Sequence, residues 1–385
     1  MSQNAYRTRH IAIHTIPAHG HVNPWLGLIS ELVRRGHRVT YAVTGDFVAQ
    51  VEEAGAVPVL YDSILPSSDK GEAWPEDLPT AMDLFLAEAI EVVPQIEAAY
   101  ADDRPDLLLY DIPTIAPALG EKWGVPYIHL APTHVPFEGV EETMGISLEM
   151  GEFEARFENF TAGLGVAMTY KQAMAPKRAI VTLPRSFQYA ADTVSDAYTF
   201  VGPMLTDRAF LGDWTAPDDR PVLVISMGSA YTDALHVYRA CIEAFADLDW
   251  HVVMSIGRFV DQAELGEIPP NFEVHRWIPQ LRVLSQADAF ITHAGMGGTM
   301  EGLYHGLPMI GIGRMGEQQA NAARLEELGL GRQILWEDVT ADSLRAAFDF
   351  VTTDADTRAR LDRMRDEVRR SGGLAKAVEI VEQHL

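Results

Sequence analysis

The chain has 385 residues, a length that exceeds one small core and suits two domains of roughly 150–200 residues each. Acidic residues outnumber basic ones 55 to 30, and the net charge of −25 argues against nucleic acid and anionic membranes as partners. The single cysteine, Cys241, cannot form an internal disulfide, and no apolar run is long enough for a signal peptide or a membrane span. A soluble cytoplasmic protein is expected.

In chain order, Ile11 to Ile16 reads as a first strand, followed by the turn P-A-H-G-H-V-N-P (Pro17 to Pro24) and an amphipathic helix from about Trp25 to Arg35. A strand (Arg38 to Val43), a helix (Phe47 to Ala54) and a strand (Val57 to Tyr61) repeat the pattern, which predicts a doubly wound parallel sheet. Asp62 to Pro79 is too long for a simple connection and reads as a lid or acceptor loop. A helix from Thr80 to Tyr100 follows, then strands at Leu107 to Tyr110 and Tyr127 to Leu130. Residues 132–176 lack strand rhythm and read as helical excursions over the first domain, with apolar residues suited to lining an acceptor cleft. Strands resume at Ala179 to Leu183 and Thr199 to Val201.

The polar stretch 207–220 reads as a linker between a first domain, 1–206, and a second, 221–370. The second α/β set has strands at Pro221 to Ser226, His251 to Ile256, Phe272 to His275 and Ala289 to Thr292. The last of these breaks at His293 into a turn containing Gly295, Gly297 and Gly298, with a helix from about Thr299. Such a turn at the carboxyl end of a parallel strand, opening a helix, is a diphosphate site. Trp277 offers a ring on which a base can stack, and Glu301 can accept hydrogen bonds from a ribose diol. Gly228-Ser229, after a strand, can approach a phosphate, and Glu317-Gln318 can meet hexose hydroxyls.

A base for an acceptor hydroxyl is expected at the carboxyl end of the first sheet. His19 follows the first strand and Asp111 ends another, so a carboxylate could hold an imidazole in the productive tautomer. His21 competes for the role and reads as a packing or capping residue. A rival signal is Gly311-Ile-Gly313-Arg-Met-Gly316 with Glu337 downstream, which formally matches a dinucleotide fingerprint and makes an NAD-dependent oxidoreductase the alternative of another reaction type. A non-catalytic binding protein would have no use for a base paired with an aspartate.

The order W-I-P-Q (Trp277, Ile278, Pro279, Gln280), H-A-G-M-G-G-T-M-E (His293 to Glu301), G-L-P (Gly306 to Pro308) and Glu317-Gln318 resembles the donor-binding signature of the GT-B glycosyltransferases of family 1. Met296-Gly297, G-H-R-V-T-Y-A (Gly36 to Ala42) and V-L-Y-D-S-I-L-P (Val59 to Pro66) resemble its macrolide branch. Gly313 stands where many members have proline. The resemblance implies two Rossmann-like domains facing across a cleft, with residues 371–385 a helix that crosses back to the first. It implies an inverting, metal-independent transfer of a hexose, glucose foremost, from a UDP-sugar to a macrolide hydroxyl, the 2′-hydroxyl of its amino sugar, which inactivates the antibiotic and protects the producer. Flavonoids, phenols or a biosynthetic intermediate are the alternative acceptors. UDP-sugar would be a co-substrate, with no tightly bound cofactor and no metal, and a homodimer is compatible. The catalytic pair would be His19 and Asp111. The donor residues would be Gly228, Ser229, Trp277, Ile278, Gln280, His293, Gly295, Gly297, Gly298, Thr299, Glu301, Glu317 and Gln318. Trp74, Met82, Phe85, Ile112, Phe137 and Met144 are the acceptor-side candidates.

Overall fold

The computed structural model describes residues 8–66, 74–75, 77–148, 150–205, 212–228, 233–314 and 316–385. The chain divides into two compact units, one of residues 1–205 and 371–385 and one of residues 206–370.

In the first unit, β1 (His10–His14) leads through α1 (His19–Val22) and a short 3₁₀ turn to α2 (Leu26–Arg34) and β2 (Arg38–Val43). Then come α3 (Val48–Glu53), β3 (Val57–Leu60), α4 (Leu78–Ala99), β4 (Leu107–Tyr110), α5 (Ala116–Trp123) and β5 (Tyr127–Ala131). Three helices, α6 (Val140–Met144), α7 (Glu152–Gly163) and α8 (Tyr170–Ala173), precede β6 (Ala179–Val181) and β7 (Tyr198–Phe200). Among the described residues the strands form one parallel sheet in the order β3-β2-β1-β4-β5-β6-β7. β1 and β4 are wholly buried, as central strands of a parallel sheet are, with His10 and His14 the buried polar residues at the two ends of β1. α2 lays Leu28, Ile29 and Leu32 on this sheet, each fully buried and each contributing about 1.5–3 kcal/mol by transfer from water.

The second unit runs β8 (Val222–Ser226), α9 (Leu235–Phe245), β9 (His251–Ser255), β10 (Phe272–His275), α10 (Gln280–Leu284), β11 (Ala289–Thr292) and α11 (Met296–His305). It continues with β12 (Met309–Gly311), α12 (Gly316–Glu327), β13 (Gly331–Gln333), α13 (Ala341–Thr353) and α14 (Ala355–Arg370). Its parallel sheet has the order β10-β9-β8-β11-β12-β13. Cys241 is buried on α9. Within the 207–220 stretch, the Trp214 indole N–H donates to Glu273 Oε2 at 3.2 Å, which ties that segment to the edge strand β10. The final helix, α15 (Gly373–Glu382), buries Ala377, Val378 and Val381 in the first unit's core beside α2, and Gly373 N–H donates to Val201 O at 2.7 Å.

The sequence pattern lacks β13. Gly331-Arg-Gln333 carries no apolar alternation, and only its pairing with β12 defines it as a strand. The terminal helix, α15, is set off from α14 where Gly372 and Gly373 both take positive φ. α11 begins at Met296, three residues before the expected Thr299, so Gly297 and Gly298 lie inside the helix's first turn and Gly295 caps it. The turn of 62–79 ends at Leu78, where Asp77 caps α4 by accepting from Thr80 N–H; residues 67–73 and 76 lie outside the described residues.

At Gly331 a Cβ would come within 2.3 Å of the Met309 carbonyl oxygen, an atom of the neighbouring strand that cannot rotate away. Gly331→Ala should therefore lower stability by about 1–3 kcal/mol, as overpacking does in other cores. A shift of the thermal unfolding midpoint checks this, and an unchanged midpoint would show that β12 and β13 are free to part.

Candidate functional site

In each sheet the chain reverses its direction of winding between two central strands, and the loops that leave them diverge, which bares the carboxyl ends. In the first unit these strands are β1 and β4; in the second they are β8 and β11. The sequence-predicted polar residues fall largely at these two places.

At the first, His14 pairs with Tyr110 in register, so Asp111 arrives level with the chain leaving β1. Its carboxylate is 1% exposed and accepts the Ile16 backbone N–H at 3.1 and 3.3 Å. It also pairs with a histidine, but with His21, not the His19 of the sequence reading: His21 Nδ1 stands 2.6 Å from Asp111 Oδ2. The reason is helical geometry. His19 and His21 both lie on α1, and residues two apart on a helix do not face the same way. One turns its ring to the sheet end and the carboxylate, while His19 places its ring edge-on against Phe47 at 5.1 Å. His21 is thus neither a cap nor core packing, for its side chain is one-third exposed. A carboxylate can only accept, so Nδ1 carries the proton and Nε2 presents a lone pair, the tautomer a general base requires. From below, His129 Nε2 donates to the Asp111 carbonyl at 3.1 Å.

Apolar residues collect beside this pair. Ile16, Leu65 and Ile112 form a small buried cluster, with Trp74 and Phe85 packed on it and their rings 6.1 Å apart. Trp74, Phe85 and Ile112 are therefore brought together near Asp111. Met82 is not with them. It is a core residue of a separate cluster with Phe153, Phe157 and Tyr170, whose hydroxyl lies 3.8 Å from its sulfur. Phe137 is buried against Tyr189, and Met144 is half-buried at the end of α6. Two groups that sequence reading missed lie behind the cluster. Glu88, buried on α4, accepts from Ser63 Oγ at 2.7 Å and Ile64 N–H at 2.8 Å, and burial raises its pKa. His14 is buried with neither ring nitrogen hydrogen-bonded, and burial pushes its pKa down to about 4.

At the second place, Thr292 pairs with Ser226 in register, so the turns after β8 and β11 lie side by side. The His293 ring is wedged between two glycines: a Cβ on Gly228 would come within 2.6 Å of it, and one on Gly295 within 2.4 Å. Burial pushes the His293 pKa down to about 4, so near neutrality the ring is an uncharged hydrogen-bonding group; its Nδ1 is buried and unbonded. Ala294 takes a left-handed φ of +57°, and its carbonyl accepts from Asn321 Nδ2 at 2.9 Å. Gly295 then caps α11, whose first-turn N–H groups of Met296, Gly297 and Gly298 have no intrahelical partner, and no acidic residue stands in that turn. This makes an anion site of backbone dipoles. Gly297 is exposed, Gly298 lies against Thr292, and Thr299 is fully buried with its hydroxyl unbonded.

Trp277 is 53% exposed, as a stacking ring must be, and Ile278 is buried behind it. Glu301 is buried, and its Oε2 accepts from Gln280 Nε2 at 2.5 Å, so one of the two oxygens assigned to a ribose diol is already engaged. Glu317 is exposed at the start of α12, while Gln318 folds back to accept from the Arg314 backbone N–H at 3.1 Å. Ser229 lies outside the described residues.

The dinucleotide reading fails on topology. Gly311 and Gly313 are close-packing positions, where a Cβ would meet Ala322 at 2.7 Å or the Gln318 backbone at 2.5 Å. β12 lies between β11 and β13 in a run that keeps one winding direction, so no crevice opens at its end. Among the described residues no group of three His, Cys, Asp or Glu side chains could hold a metal ion, and no helix is long and apolar enough to cross a membrane.

Residues 239–383 match the family model of the erythromycin biosynthesis protein CIII-like C-terminal domain. The chain is 43% identical to oleandomycin glycosyltransferase of Streptomyces antibioticus, over 98% of this chain and 91% of that protein. It is 39% identical to the NDP-glycosyltransferase YjiC of Bacillus licheniformis, over 98% of each. Among solved structures, the glycosyltransferase of kitacinnamycin superposes with a TM-score of 0.88 at 42% identity, over 98% of this chain and 99% of that one.

Two outcomes are expected. Gly228→Ala and Gly295→Ala each drive a methyl into the His293 ring, and either should weaken diphosphate binding at this anion site by at least about tenfold, some 1.4 kcal/mol, read by titration calorimetry with UDP as the probe. His14 has a lowered folded pKa, so the unfolded chain binds more protons between pH 6.5 and about 4, and stability falls as pH drops through that window. His14→Leu should flatten the fall in the urea midpoint over this range; an unaltered slope would assign the acid loss elsewhere.

Proposed function

The chain belongs to the family 1 glycosyltransferases of GT-B fold, enzymes that move a sugar from a nucleotide to a small-molecule acceptor, and we propose that here the donor is UDP-glucose and the acceptor a macrolide. The observation that carries the chemistry is the Asp111-held imidazole of His21 beside an apolar cluster. The name of its Streptomyces relative supports the acceptor class, and an apolar wall of Ile16, Trp74, Phe85 and Ile112 suits a large hydrophobic aglycone.

On this reading His21 Nε2 takes the proton of an acceptor hydroxyl, the 2′-hydroxyl of the macrolide's amino sugar. Asp111 stabilises the imidazolium that forms, a service a buried carboxylate renders best because water does not screen it. The oxygen attacks the anomeric carbon from the face opposite the diphosphate, the bond to UDP breaks, and an α-linked donor yields a β-glycoside. Charge growing on the departing diphosphate meets the N–H groups at the start of α11, which are fixed before the reaction begins. Neutral His293 adds a hydrogen bond and no charge. These dipoles take the part a divalent cation plays elsewhere, so transfer proceeds without one. Uracil stacks on Trp277, and Glu317 with Gln318 reads the hexose. Glucosylation at that hydroxyl inactivates the antibiotic, which makes self-protection the biological role.

Mass spectrometry of products tests the reading. The protein is mixed with UDP-glucose or TDP-glucose, excess chelator, and a panel of a desosamine-bearing macrolide, a flavonoid and a simple phenol. A gain of one hexose on the macrolide, preferring UDP-glucose and indifferent to chelator, is expected. His21→Ala should cut the rate by about 10²-fold or more, as loss of a general base does, and His19→Ala by far less. Transfer to phenols alone would sink the macrolide assignment, and a larger loss from His19→Ala would return the base to that residue.

A further inference from the structure

The turn that opens the anion site contains a residue in an unfavourable conformation. Ala294 has φ +57°, a region an L-residue with a Cβ avoids, and it is one of two non-glycine residues with positive φ among those described. This one residue sets the turn. It follows the last strand residue by two, aims the His293 ring between its glycines, and starts the chain into α11 at the angle that points the first-turn N–H groups outward. The position is closed on every side, for Ala294 is fully buried, and a Cβ added at Gly311 would lie 3.4 Å from its methyl.

Two side chains hold the turn: Thr292 Oγ1 accepts the Ala294 N–H at 3.2 Å, and the carbonyl is held by a residue of another helix. Asn321, fully buried on α12, donates Nδ2–H to the Ala294 carbonyl at 2.9 Å. A carbonyl can only accept, so this bond fixes the amide orientation, and the Asn321 oxygen is left buried with no hydrogen-bond partner. A buried amide with an unspent acceptor is a poor device for stability alone. Its use is in where its donor points. α12 also carries Glu317 and Gln318 one turn earlier, so a single rigid helix bears both the pair proposed to read the hexose and the prop under the diphosphate turn.

We propose that Asn321 is a positioning residue of the donor site: its amide holds Ala294 in the left-handed conformation and thereby keeps the α11 N-terminus and His293 set for the nucleotide diphosphate before the donor arrives. This rests on the donor-site reading above. Asn321 touches no substrate, and its effect is to spare the donor the cost of ordering the turn. Because the diphosphate is common to UDP and UDP-glucose, both feel the prop equally, and the acceptor does not.

The test is a double-mutant cycle read by calorimetry with UDP and UDP-glucose on the full chain. Asn321→Leu, close in shape and without a donor, should raise both dissociation constants by about tenfold and leave the acceptor KM unchanged. Ala294→Gly removes the steric objection to positive φ, so in that background the same substitution should cost less than about threefold. Equal factors in the two backgrounds, or a change below about twofold in the first, would overturn the proposal, as would a rise confined to the acceptor KM. Should leucine not be accommodated, Asn321→Ala removes the donor without adding bulk and carries the same expectation. If the unsubstituted chain binds neither UDP nor UDP-glucose, the donor-site reading itself fails, an outcome distinct from binding that ignores Asn321.

Discussion

Parallel strands expose all their carboxyl ends along one edge of a sheet, and the chain can leave that edge open only where its winding reverses. Each unit has one such reversal, β1 against β4 in the first and β8 against β11 in the second, and the Asp111–His21 pair and the His293 turn stand just beyond them. Strand register does the rest. His14 opposite Tyr110 delivers Asp111 to the backbone of Ile16, and Thr292 opposite Ser226 delivers His293 to the glycine after β8. The side chains acquire their chemistry from this placement, since the same histidine elsewhere on the surface would be an ordinary titrating group.

Burial then decides the protonation states. Asp111 loses its water to the sheet and regains hydrogen bonds from the Ile16 N–H and the His21 ring, which is what a buried carboxylate requires. His293 and His14 gain no such compensation, and each is held neutral by the cost of charging it away from water. For His293 neutrality is useful, because a ring pinned between Gly228 and Gly295 keeps one geometry at any pH above its own low pKa.

Much of this was legible in the sequence because buried parallel strands announce themselves as short apolar runs; β2, β4, β10 and β11 have the limits expected of them. The donor signature was legible because its residues are contiguous and their spacing is that of a turn and one helix. The histidine that partners Asp111 was not. Choosing between His19 and His21 depends on which side of one helical turn faces a strand 90 residues away, and sequence spacing carries no such direction. Met82 misled for a related reason. An apolar residue on α4 looks alike whether its face meets Phe157 in a core or a ligand in a pocket, and Phe85, three positions on, packs against both the Met82 cluster and the Ile112 cluster. Asn321 and Glu88 were invisible because a buried polar residue in a helix reads as surface until its partner is known.

The two open ends differ in sign, and this argues for which of them takes the anion. At the first, a buried carboxylate stands at the mouth, and α1 has four residues, too few to sum a useful dipole. A diphosphate placed there would meet like charge. At the second, a helix of ten residues is capped by a glycine, with no acidic side chain in its first turn and a neutral imidazole beside it. Backbone dipoles need no counterion, do not titrate, and are already ordered when the donor binds, so they can receive the charge that bond breaking releases without reorganising. The acidity of the whole chain sharpens the point. With a net charge of −25, long-range attraction cannot recruit a nucleotide, and recognition must come from short, fixed N–H groups whose direction is set by one left-handed alanine and the amide that holds it.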